Sequence, residues 1–95
     1  MKEIINQIYE IQRKATDNNL NLFDRNFERL NFEFENMGFH IIIPLNQSFD
    51  DSDISIEATV VSQNLNIITK VIKPTIYKKD NDNFTLIQKG IVIVE

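Results

Sequence analysis

Gly38 to Ser62 reads GFHIIIPLNQSFDDSDISIEATVVS, and Leu86 to Glu95 reads LIQKGIVIVE. In the first stretch a glycine closes a helix, the period of the apolar residues changes from helical to two, and an acidic turn separates two extended segments. The second is an Ile- and Val-rich terminal strand. Gly38 supplies the left-handed helix end, with Phe39 placed for the apolar contact that accompanies it. Ile41 to Ile43 form a short strand ended by Pro44. Residues 54–61 alternate, with Ile54, Ile56, Ala58 and Val60 on one side and Ser55, Glu57 and Thr59 on the other, a half-buried strand.

Downstream, Ile67 to Tyr77 is extended, but Pro74 has no N–H for a ladder and marks an edge or a bulge. Lys78 to Asn83, KKDNDN, reads as a hairpin loop. Phe84 to Val94 is the last strand, and Gly90 inside it signals a bulge or a close backbone approach.

Upstream the period is helical. Ile4, Ile8, Ile11 and Ala15 form a seam over residues 3–15, widened by Ile5 and Tyr9. The run Thr16 to Asn21 breaks it, because Asn and Asp side chains compete with the helical backbone for hydrogen bonds. Asn21 is the expected N-cap of a second helix over 22–37, with Asp24 in its first turn where the dipole favours an anion. Phe23, Phe27, Leu30, Phe34 and Met37 give this helix a clean seam. Extending the first seam forward meets Arg25 and Arg29, so two helices account for the pattern better than one rod. The expected fold is α+β: a helical region over 1–38, then a small, mainly antiparallel β domain over 39–95.

Ninety-five residues make one small domain with a limited core, for which oligomerisation is a common remedy. Two helices of this length offer few partners for so many Ile and Phe side chains. A homodimer through a four-helix bundle is therefore expected, with Ile4, Ile8, Ile11, Phe23, Phe27, Leu30 and Phe34 at its interface. The chain has no Cys, so disulfides and thiolate metal sites are excluded. The N-terminal residues carry charges inside their apolar run, unlike a secretory signal, and no apolar run reaches the ~18–20 residues that span a bilayer. The expectation is a soluble cytoplasmic protein that engages no membrane.

Charge is uneven. Residues 1–63 hold five basic and eleven acidic side chains, a balance of −6, whereas residues 64–95 hold five Lys against three acids, a balance of +2. A basic sheet beneath an acidic helical part suits an acidic partner surface. Arg is absent after Arg29, and no Arg/Lys cluster interleaves with aromatics, which argues against nucleic acid.

No pattern of catalytic residues stands out, and no enzymatic activity is expected. His40 is the only histidine and sits at a strand entrance. Asp50, Asp51 and Asp53 lack the alternating ligands, mid-loop Gly and closing Glu of a calcium loop, and read as a solvated turn. Asp80 to Asn83 opens like such a loop, but Ile91 stands where the closing Glu belongs. With glycine only at 38 and 90, no glycine-rich phosphate loop is possible. No cofactor and no metal are expected; the function is expected to lie in a surface.

The order of elements resembles the nucleotide exchange factor family GrpE, without its long N-terminal coiled coil. Ile4 to Lys14, IINQIYEIQRK, looks like the first bundle helix of that family. Phe27 to Ile42, with Met37-Gly38-Phe39, is similar to its second bundle helix and glycine exit. Phe49-Asp50 with Ala58-Thr59-Val60 resembles the stretch "(L/F)DP…HEA…V". Val71 to Tyr77 lies where the family has "V-x-Q-K-G-Y", and Leu86 to Val94 where it ends "L-(L/I)-R-P-A-M-V-x-V". The resemblance implies a dimeric co-chaperone whose β domain binds the ATPase domain of a DnaK-type chaperone and promotes ADP release. By position it makes Ile72 and Val94 apolar contacts and places Thr85 where the family has a contact arginine. The Lys-Gly-Tyr turn is Pro74-Thr75-Ile76 here, and Arg-Pro-Ala is Gln88-Lys89-Gly90. With two arginines gone, Lys70, Lys73 and Lys89 are the substitutes at hand. The alternative is a dimeric structural or inhibitory interaction module, of phage or immunity type, without exchange activity.

Overall fold

A computed structural model describes residues 1–61 and 65–95. Two helices, α1 (Lys2–Asp17) and α2 (Asp24–Asn36), precede six strands: β1 (Phe39–Ile42), β2 (Ile56–Val60), β3 (Ile68–Lys73), β4 (Thr75–Asp80), β5 (Asn83–Gln88) and β6 (Gly90–Val94). The fold is α+β, as expected. The strands form two three-stranded sheets, in the orders β1-β4-β5 and β2-β6-β3. Among the described residues the strand pairings are antiparallel except that of β2 with β6, which is parallel. Ser62, the last residue of the stretch that decides the fold, lies outside the described residues.

Each of the two long extended segments in the second half divides between the sheets. The first runs through β3, breaks at Pro74 and continues as β4; the second runs through β5, breaks at Lys89 and continues as β6. The breaks lie at the same level, since Lys73 is opposite Ile91 and Ile76 is opposite Gln88. At this junction Ser55 C=O accepts from Gly90 N–H at 2.9 Å and from the Thr75 hydroxyl at 3.3 Å. Gln88 donates its amide to Pro74 C=O at 2.8 Å. Gly90 is needed here for space, because a Cβ would stand 2.5 Å from Thr75 Oγ1. Pro74 is buried, and its missing N–H suits a point where one ladder ends and another begins.

Boundaries shift in ways the local chemistry explains. α1 runs on to Asp17, and its end is closed when Leu20 N–H reaches Ala15 C=O at 2.8 Å, with Asn19 left-handed at φ 56°. Asn tolerates that conformation better than other side chains do. Asn21 does not cap α2: Phe23 precedes its first turn, with no side-chain cap. Gly38, at φ 88°, ends α2 as expected. Its C=O accepts from Lys79 N–H at 2.7 Å, so the helix exit is stitched to β4 at once. The hairpin is tighter than KKDNDN suggested: β4 runs to Asp80 and β5 starts at Asn83, leaving Asn81, at φ 56°, and Asp82 to turn.

Among the described residues, two apolar clusters form the core. One holds Ile68, Val71, Val92 and Val94, with Tyr9, Phe49, Ile56 and Ala58 packed around it. The other holds Ile5, Phe34 and Ile76, with Ile8, Leu30, Phe39, Ile41 and Ile87 around it. The second cluster joins both helices to the β1-β4-β5 sheet, and Tyr9 joins α1 to the other sheet. The result is a slab of 38 × 37 × 18 Å.

Candidate functional site

α1 is pinned to the sheets by polar bonds as well as by its apolar side. Asn6 and Gln88 exchange a reciprocal pair of amide hydrogen bonds, both 2.8 Å. Tyr9 donates its hydroxyl to Val71 C=O at 2.7 Å and so occupies an edge group of β3. Burial raises the Tyr9 pKa, while the nearby Arg13 charge opposes the rise and Asp17 adds to it. Between α1 and β3 these attachments leave a groove of about 370 Å³. Its walls are Glu3, Asn6, Gln7, Glu10 and Arg13 from α1, and Ile72 and Lys73 from β3. One Arg13 nitrogen, Nη1, is buried with no hydrogen-bond partner among the described residues.

The residues singled out for partner binding fall in three places. Lys70, Ile72 and Lys73 are exposed on β3, an edge strand anchored by the buried Ile68 and Val71. Two register shifts interrupt β3, which together with its lysines blunts the edge against open-ended strand pairing. Thr85 is exposed on β5, in the other sheet, and Lys89 stands at the junction 3.9 Å from Glu57. Val94 has no exposure at all; its side chain lies inside the first core cluster. Ile72 and Lys73 thus share one surface feature, and Thr85 does not join them.

The expected dimer residues divide as well. Phe27 and Phe34 are buried within the chain's own fold, at 5% and 4% exposure, and Leu30 and Ile8 pack half-buried against the second cluster. Ile4, Ile11 and Phe23 are exposed. The side of α1 that faces the sheets is that of Ile5 and Tyr9, so the Ile4–Ile11 flank is turned away from the core.

His40 is exposed, with its ring 5.8 Å from that of Phe84 on the outer side of the β1-β4-β5 sheet. Asp50 accepts from the backbone N–H and the hydroxyl of Ser52, which hold its carboxyl below the usual range. Asp53 receives the same two bonds from Ser55. These are turn-forming bonds of the Asx kind. Among the described residues, no group of three or more His, Asp or Glu is placed to hold a metal ion, and no helix is long and apolar enough to cross a membrane.

Arg13 and Gln88 were not among the functional residues picked out by the sequence. Arg13 sits on the far side of α1 from the Ile4–Ile8–Ile11 seam, which helical spacing does show. That the seam's opposite flank faces β3 is a tertiary fact. No protein family, curated protein or solved structure matches the chain.

Proposed function

We propose that the chain is a protein-binding module and that its partner is the ATPase domain of a DnaK-type chaperone, whose ADP release it promotes. The observation that carries the first part is β3: a bulged, firmly anchored edge strand offering Lys70, Ile72 and Lys73 to solvent beside a groove. Rigid support of a few exposed side chains is what a recognition surface needs, because little conformational entropy is then lost on binding.

The chaperone reading is the narrower one. It is supported by the way the segments that resemble GrpE come together. Phe49, Ala58 and Val92 share one core cluster, and Asp50 shapes the turn that follows Phe49; Val94, a contact in the resemblance, is buried in that cluster and takes no part in the surface. An exchange factor works by binding the open nucleotide cleft more tightly than the closed one, which shifts the population towards ADP release. Stopped-flow release of labelled ADP from such an ATPase domain tests this; acceleration at micromolar chain is expected. A rate unchanged at that concentration ends the chaperone reading.

A homodimer is part of the same proposal, supported by the exposed Ile4, Ile11 and Phe23. That exposure also favours the second reading, a dimeric structural or inhibitory module without exchange activity. Light scattering gives the oligomeric state, and the ADP assay separates the two readings.

A further inference from the structure

We propose that the groove between α1 and β3 receives an acidic segment of a protein partner, whose carboxylate is taken by Arg13 and Lys73. This rests on the reading of the chain as a protein-binding module and adds the chemistry of what enters. The charges lining the groove are two acids and two bases, but they are not equivalent. Glu10 is held by Lys14 at 3.1 Å, one turn away. Glu3, at 76% side-chain exposure, is screened by water. Among the described residues, neither Arg13 nor Lys73 has a carboxylate within 4.0 Å. The cations are the unpaired members of the set.

Arg13 is also partly stripped of water, since its Nη1 is buried without an acceptor. That buried nitrogen is closed to an incoming group, so a carboxylate entering the groove meets the other N–H donors of the guanidinium, whose planar fork matches its two oxygens. With two acids and two bases in its lining the groove carries no net charge, so it accommodates a singly charged carboxylate more readily than a dianionic phosphate. Gln7 supplies an exposed amide for the backbone of the incoming segment, and Ile72 supplies an apolar flank for its methylenes. At about 370 Å³ the groove suits a short piece of chain.

The test uses a labelled six-residue peptide carrying two adjacent glutamates, with a glutamine version as control, titrated into the full chain by fluorescence anisotropy and amide NMR. The glutamate peptide is expected to bind and to shift the amides of Gln7, Arg13 and Ile72. Arg13→Gln and Lys73→Gln are each expected to weaken it about tenfold, with Lys79→Gln on the other sheet unchanged. NMR dispersion reports folding, and should Arg13→Gln unfold, Lys73→Gln at its exposed site carries the comparison. Equal binding of the glutamine peptide overturns the proposal, as does a wild-type affinity in the groove variants. Displacement by inorganic phosphate at the peptide's own concentration overturns the carboxylate assignment. A chain that binds the peptide but leaves ADP release unchanged keeps the groove and loses only the chaperone reading.

Discussion

At Gly90 the fold depends on the absence of a single methyl group. The space a Cβ needs is held by Thr75, itself buried and bonded to Ser55 C=O. Gly90→Ala is expected to lower stability by about 1–3 kcal/mol through overpacking, and Thr75→Ala in the same chain to recover part of it. Urea unfolding measures both, and an unaffected Gly90→Ala variant would contradict the packing described at the junction. Asp50 carries a pH dependence of known sign. Its folded pKa is depressed by the Ser52 bonds, so the turn is fully supported above the ordinary carboxylate pKa of ~3.9 and loses that support as pH falls through the lower folded value. The Ser52 amide resonance should therefore move below pH ~3.9 and stay fixed above pH ~6, where the carboxyl is ionised in both states. Gly90 was legible as a special position, because a glycine in an Ile/Val strand asks for a reason. That its neighbour would be Thr75 was not, since the two lie fifteen positions apart, across a hairpin.

The attachment of α1 is the element-scale question. Asn6 reaches Gln88 across almost the whole sequence, and Tyr9 reaches Val71. A double-mutant cycle on Asn6→Ala and Gln88→Ala is expected to give a coupling of about 1–2 kcal/mol, read from urea denaturation midpoints. A coupling near zero would mean that apolar packing alone holds the helix. The stripe of Ile4, Ile5, Ile8, Tyr9 and Ile11 announced an amphipathic helix. Its width hid the orientation, because either flank of so broad a stripe satisfies the same period. The strands show the converse. Pro74 and Gly90 marked irregular points in two segments, yet only pairing reveals that both lie at one level and divide one ribbon between two sheets.

For the molecule as a whole, the helices are covered by their own sheet along one side and open along the other. Phe27→Ala and Phe34→Ala should each lower the stability of the chain by about 3–5 kcal/mol, since both side chains are buried within it. Ile4→Glu with Ile11→Glu removes apolar surface that the core does not use. On the dimer proposal this pair of changes splits the dimer, read by sedimentation velocity, while the urea transition of the monomer stays in place. A wild-type chain that sediments as a monomer at every concentration would end that proposal.

Composition and period alone determined the class of this protein: two amphipathic helices, a glycine exit at residue 38, and a β-rich second half. These are local properties, carried by side-chain spacing and backbone preference over a few residues. Tertiary structure decided the rest. It chose which flank of α1 meets the sheet, divided the long strands at Pro74 and Lys89, placed Val94 in the core, and drew Arg13 beside Ile72 and Lys73. Such outcomes turn on which distant surfaces fit together, and residues dozens of positions apart in the chain become neighbours only when the whole core closes at once.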